Sequence, residues 1–457
     1  MIFSRPRIAA IDDQEPALIA IADALNGSGA ACLKLQYAGA LPEGTSLDQV
    51  RVLFMDLHLG GPAGNTNQDF STIGGLLQEF IPKGNGPFVL IVWTVYPPQV
   101  DGLMDFLCQR LREHPHAIPV QVRTLSKIDH IRDNEVIDRG KLVHAVREVI
   151  EADPRVAALV NWEARVTSAA SETIAALLAL VPPDKRAPAD LSSELDRLLS
   201  ALATEAVGAS NVAKDRFVAV NEALLPMLYD RISRLTMDEK DAGVWEGAIS
   251  NPGGKATLSS AQAALLNSML HVDFETHGSS QPDRGMVLEV PEQWLQNEEF
   301  EKRFGMRPRS FLNQELGLKP TPAAEQVKWV LVQVEAVCDH AQAKPGPVPY
   351  LLGVEAPALE QSRPPGAAWK SPLLWIDSSE RVIYLNFRFG VLLLDSEAKR
   401  LGIRFRLREA LTNEIVSRMH AYGARPGMIA FRALLEQQAK TAAVDPGPSE
   451  IKEQADS

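Results

Sequence analysis

Four short apolar runs in the first third of the chain each lead into a polar residue, and this ordering restricts the possible folds most. RIAAI (7–11) runs into Asp12 and Asp13, RVLFMD (51–56) ends on Asp56, FVLIVWT (88–94) ends on Thr94, and IPVQVRTL (118–125) is followed, one serine later, by Lys127. Runs that are apolar throughout, not at alternate positions, belong to strands covered on both faces. The stretches between them carry apolar residues at helical spacing: Leu18, Ile21 and Leu25 after Pro16, then Leu76 to Phe80, then Leu103, Phe106, Leu107 and Leu111, with a last helix near Glu135 to Ile150. Such alternation predicts a parallel sheet with helices on both faces, and Ala31 to Tyr37 is read as its remaining strand.

A chain of 457 residues is too long for one core, so two or three are expected. Residues 1–150 form the α/β region; 151–250 turn to Ala and Leu at helical spacing, as in TIAALLALV and LDRLLSALATEA, and read as a helical segment. From 251 to 435, GMVLEV, VKWVLVQVEAV, YLLGVEAP and RVIYLNFRFGVLLL carry the β-branched and aromatic content of strands, which predicts a mixed, β-rich domain closed by a helix over Leu407 to Tyr422. The polar residues 436–457 are expected to be a disordered tail. No internal repeat is present.

The net charge of -12 argues against a nucleic-acid surface, which needs a concentrated positive field. Cys32, Cys108 and Cys338 form no CxxC pair and no regular spacing, so neither a disulfide framework nor a zinc knuckle is indicated. The apolar runs are too short to span a bilayer and none resembles a signal peptide, which leads to the expectation of a cytoplasmic protein without a membrane partner.

In open α/β sheets ligands bind at the carboxyl ends of the strands, where Asp12, Asp13, Asp56, Thr94 and Lys127 all fall. Three carboxylates in one pocket repel each other unless a cation sits among them, and a hard ion such as Mg²⁺ suits that oxygen-rich shell. A carboxylate beside such an ion is a nucleophile toward phosphorus, and Asp56 is the best candidate. Lys127 then pairs with phosphoryl oxygens, and the Thr94 hydroxyl donates to them, which lets the region around Tyr96 repack as a switch.

These stretches resemble the response-regulator receiver family: IAAIDDQEP its first strand and acidic pair, VLFMDLHLGG its phosphoacceptor strand and loop, VLIVWTVYP its switch-threonine strand, and RTLSKID its lysine strand. The 44-residue separation of Asp12 from Asp56 also suits it. The resemblance implies a flavodoxin-like, five-stranded parallel sheet of order 2-1-3-4-5. It further implies Mg²⁺ held by Asp12, Asp13 and Asp56, phosphoryl transfer to Asp56 from a histidine kinase, and roles for Thr94 and Lys127. Two departures stand out: the stretches flanking Thr94 are longer than in ordinary receivers, and Ile128 follows Lys127 where the family usually has proline.

An elongated receiver with a helical middle and a β-rich end is similar to the response-regulator component of Detocs-type bacterial phage-defence systems. That similarity implies an effector protein of the same system as a further partner, and a homodimer is a possible assembly. Two other readings stay open. One is a receiver-gated hydrolase or nuclease acting through Cys338, Asp339 and His340, with His271, Asp273 and His277 in the same region; the other is a pseudo-receiver used for assembly. Adjacent strand residues point to opposite faces, so Cys338 at the end of VLVQVEAV reads more simply as core packing. Arg404, Arg406 and Arg408 read as solvated charges at the start of an exposed helix, and Trp329 and Trp375 as core.

Overall fold

The computed structural model describes residues 5–60, 66–132, 135–237, 239–250, 258–275, 283–319, 326–341, 344–358 and 366–425. The residues expected to form a tail, 436–457, lie outside them, as does His277. The described chain falls into two compact units, one drawn from 1–202 and 220–255, the other from 203–219 and 256 onward.

The first unit opens with β1 (Ile8–Asp12), α1 (Glu15–Asn26), β2 (Cys32–Gln36), β3 (Val52–Asp56), α2 (Thr66–Phe80), β4 (Val89–Thr94), α3 (Leu103–Arg110) and β5 (Gln121–Ser126). A short helix α4 (Lys127–His130) and a small hairpin, β6 (Ile131–Arg132) with β7 (Glu135–Val136), lead into α5 (Arg139–Glu151). The five long strands form one parallel sheet of order β2-β1-β3-β4-β5, the order that the resemblance implied.

The unbroken apolar runs follow from burial on both faces. Leu53, Met55, Leu90 and Val92 point into one cluster with Phe70, Ile73 and Leu77 of α2 and Leu103 and Leu107 of α3. Val52, Phe54, Val89, Ile91 and Trp93 point the other way, against Leu18, Ile21 and Leu25 of α1 and Leu142 and Val146 of α5. Each such side chain contributes about 1.5–3 kcal/mol when fully removed from water.

Helices then dominate, as expected: α6 (Pro154–Ala179), α7 (Pro188–Val207), α8 (Ala209–Lys214), α9 (Arg216–Arg234) and α10 (Glu239–Ala248). Asp153 caps α6 by accepting from the Arg155 N–H, and Pro154 fits its first turn because that position needs no donor. Val156 and Val160 of α6 pack into the same cluster as α1 and α5, so the core of the sheet is completed by residues beyond 150.

The second unit holds α11 (Ser260–His271), β8 (Val272–Asp273), β9 (Met286–Glu289), α12 (Asn297–Phe304), α13 (Pro308–Ser310), β10 (Lys328–Gln333), α14 (Val337–Ala341), β11 (Val348–Pro357), β12 (Ala368–Lys370), β13 (Leu374–Ile376), β14 (Ser379–Leu393), α15 (Asp395–Ala398), β15 (Ile403–Leu407) and α16 (Glu409–Gly423). Seven strands run in the order β12-β14-β11-β10-β9-β15-β8, all antiparallel, with β13 also paired to β14. One face of the sheet carries Phe300, Phe304 and Phe311 and the other Leu411 and Ile415 of α16.

Three expectations need correction here. The strand expected to run through VLVQVEAV stops at Gln333, and Cys338 lies exposed on α14, so it is not core. Arg404 and Arg406 belong to β15, and α16 begins only after Arg408, because alternate residues Phe405 and Leu407 are the ones buried. Trp329 packs edge-on to Phe300, ring centres 5.1 Å apart, against the core, but it and Trp375 are both only partly covered.

Candidate functional site

Parallel strands present their carboxyl ends along one edge, and the sequence places its acids there. Asp12 is the last residue of β1 and Asp56 the last of the neighbouring β3, with Asp13 immediately beyond β1. One ligand atom from each of Asp12, Asp13 and Asp56 lies within 4.8 Å of the others. Lys127, the residue directly after β5, reaches across to them. Its Nζ lies 2.7 Å from Asp12 Oδ2 and 3.1 Å from Asp56 Oδ1.

The loops complete the pocket with main-chain donors. The Gln14 N–H donates to Asp12 Oδ1 at 2.9 Å, and the Gly60 N–H to Asp13 Oδ2 at 3.2 Å. Gly60 has φ of 72°, a left-handed conformation that glycine adopts without a Cβ clash.

Burial pushes the Asp12 carboxyl above the usual carboxylate range; Lys127 opposes this and Asp56 adds to it. Burial likewise raises Asp56, again against Lys127, with Asp13 contributing in the raising direction. One ammonium thus pairs with two of three clustered acids, and Asp13 Oδ1 is buried without a hydrogen-bond partner. An oxygen-only donor set, an excess of negative charge and an orphaned carboxylate oxygen fit a divalent cation of the hard class, Mg²⁺ among them.

Thr94 ends β4 at the same edge and is fully buried. Its Oγ1 accepts the Tyr96 N–H at 3.1 Å and makes no hydrogen bond to the acids among the described residues. His58, within VLFMDLHLGG, is not among the residues that mark the site in the sequence. Its Nδ1 lies 2.9 Å from Oδ2 of the buried Asp69 on α2, and its ring meets Tyr96 edge-on at 5.5 Å. An acid on the buried face of α2, eleven residues after a histidine, was the available signal.

The second unit arranges its charged residues differently from the catalytic reading. Cys338 Sγ lies 3.5 Å from Asp339 Oδ1, whereas both ring nitrogens of His340 face carboxylates: Nε2 is 2.8 Å from Asp283 and Nδ1 3.4 Å from Glu335. No hydrogen bond joins Cys338 to His340 among the described residues, and His271 Nδ1 is buried without a partner. Asp273 pairs with Arg406, which also bonds Asp283. Arg404 is matched by Glu355, Asp377 and Glu289, and Arg408 donates to the Val272 carbonyl, so these arginines are not a free anion site.

No protein-family model matches the chain, and no curated protein matches its sequence. No helix among the described residues is long and apolar enough to cross a membrane.

Proposed function

We propose that the first unit is a phosphoacceptor receiver and the chain a response regulator that takes a phosphoryl group on Asp56. The observation that carries this reading is the convergence of Asp12, Asp13, Asp56 and Lys127 at the carboxyl edge of a 2-1-3-4-5 parallel sheet. An isolated acid at a strand end is ordinarily solvated, but here two are buried against one lysine.

In this proposal a carboxylate oxygen of Asp56 attacks the phosphorus of a phosphohistidine. The new P–O bond forms as the P–N bond breaks, and the imidazole of the donor kinase leaves with the electron pair. Asp12, Asp13 and Asp56 would hold Mg²⁺, which when bound screens the incoming charge and stabilises the transferring oxygens. Lys127 is placed to move from its carboxylate partners to a phosphoryl oxygen, and Thr94 to exchange its contact with the Tyr96 N–H for one with the phosphoryl group. Such an exchange would alter the surface around Tyr96, where a partner can read the phosphorylated state.

The similarity to the Detocs-type component extends the proposal to a role in phage defence, with a histidine kinase as donor and an effector protein whose signal is controlled or buffered. The test is chemical. Full-length protein incubated with a small phosphodonor and Mg²⁺ should form a hydroxylamine-sensitive adduct, and Asp56→Asn should form none. An adduct of undiminished strength on that variant rules the assignment out.

A further inference from the structure

His340 stands between two acids, and this arrangement goes beyond the phosphoacceptor reading. A carboxylate only accepts hydrogen bonds, so a ring with Nε2 2.8 Å from Asp283 Oδ1 and Nδ1 3.4 Å from Glu335 Oε2 satisfies both only with a proton on each nitrogen. Either neutral tautomer turns a lone pair toward one of the acids. The cationic ring is therefore the species that fits, and the side chain is only partly exposed, which limits screening by water.

The surroundings make this ring mechanically important. On α14 itself Val337 and Cys338 are exposed and Asp339 is only half-covered, bonded to Lys344, so little apolar burial fastens this helix. The His340 carbonyl accepts from the Asn211 Nδ2 at 3.2 Å, which joins α14 to α8, a helix with no buried side chain.

We propose that His340 is a proton-operated latch that holds α14, and through Asn211 the helix α8, onto the second unit. The other charged groups around it are arranged to keep the acids in place. From the loop before β9, Asp283 also accepts from Arg406 of β15, which in turn pairs with Asp273 of β8. After β10, Glu335 accepts from the Gln333 amide, while its carbonyl accepts from Arg284. Arg284 also lies near Glu409 and bonds Asn413, both of α16.

The direction of the titration follows from these contacts. The Asp283 hydrogen bond, against burial, raises His340 above its ordinary value of 6.5, with Glu335 adding to the effect. Asp283, in spite of burial, is lowered to about 2 by the hydrogen bond and charge of His340, with the Arg284 N–H and Arg406 adding to the effect. A raised histidine contributes its stabilisation fully below 6.5, and the contribution is lost as pH rises through the folded-state value. The latch is closed when protonated and opens toward alkaline pH.

Hydrogen exchange by mass spectrometry on the full chain, corrected for intrinsic rates, tests this between about pH 6 and about pH 9. Protection of the peptides covering α14 and α8 should fall several-fold across that range, while the central strand β11 keeps its protection. His340→Lys, which keeps a positive charge, should flatten the dependence, and His340→Gln should show the low protection at every pH. If wild-type protection at α14 stays constant while the His340 ring is seen by NMR to lose its proton in the same window, the latch does not exist. Equal protection in His340→Gln and wild type near pH 6 overturns it as well.

Discussion

The Lys127 ammonium lies 2.7 Å from Asp12 and 3.1 Å from Asp56, so a single cation from the end of β5 serves two buried acids from different strands. Removing one partner from such a group leaves uncompensated buried charge. Lys127→Met should therefore destabilise the cation-free protein by about 3 kcal/mol, at the lower end for broken buried pairs. It should also bind Mg²⁺ more tightly than wild type, since the ion no longer competes with an ammonium for the same oxygens. Urea unfolding with and without Mg²⁺, alongside titration calorimetry, measures both effects, and an unchanged Mg²⁺ affinity contradicts the competition.

Glu163 on α6 accepts from Arg51 Nε at 2.7 Å and Nη2 at 2.8 Å, and pairs with Arg7 at 2.5 Å. Burial pushes its carboxyl up, but the hydrogen bonds from Arg51 and Arg7 outweigh this and hold it below 4.5. A depressed acid adds stability above its unfolded value, and that stability is lost as pH falls through the folded one. Glu163→Gln should lower stability by about 1–2 kcal/mol at neutral pH. The gap between variant and wild type should close in acid below the ordinary glutamate range, as followed by chemical unfolding at several pH values.

The parallel sheet and the acidic edge were legible because each depends on local pattern, whereas the strand order came only from the resemblance to receivers. Apolar runs such as VLFMD can be buried only between two helical layers, and a parallel sheet then puts their terminal acids together. The latch at His340 was not legible, since Asp283 and Glu335 reach it from separate parts of the chain and neither belongs to a motif. Cys338 misled for a related reason: VLVQVEAV reads as one strand, but its second half leaves the sheet after Gln333 and Val334 and rises into an exposed helix. Likewise FRLRE reads as the start of a helix until β8 and β9 are known to flank Ile403–Leu407 and make it a strand.

Gly353 marks the point where the register of β11 against β14 shifts, and a Cβ there would fall inside contact distance of the Tyr384 carbonyl oxygen and close to Leu385. Both neighbours are fully buried in the sheet, so neither has room to move aside. Gly353→Ala should destabilise the protein by about 3 kcal/mol or more, in the range of overpacked cores. Thermal unfolding of the variant checks this; a loss under about 0.5 kcal/mol, the range of ordinary surface substitutions, would show that the strands separate easily.

Thr94 Oγ1 accepts the Tyr96 N–H at 3.1 Å, and Tyr96 packs its ring against His58 in the loop beyond Asp56. Thr94→Val keeps the shape of the side chain and removes the hydroxyl, which leaves that N–H without its partner. The expected cost is about 1 kcal/mol, measured by urea unfolding. Since Asp56 itself is untouched, the variant should still form the hydroxylamine-sensitive adduct. What it should lose is the response of the loop: phosphorylation should change hydrogen exchange around Tyr96 in the wild type and leave it unaltered in Thr94→Val. The same change in both proteins would mean that the hydroxyl does not carry the signal from Asp56 to the surface.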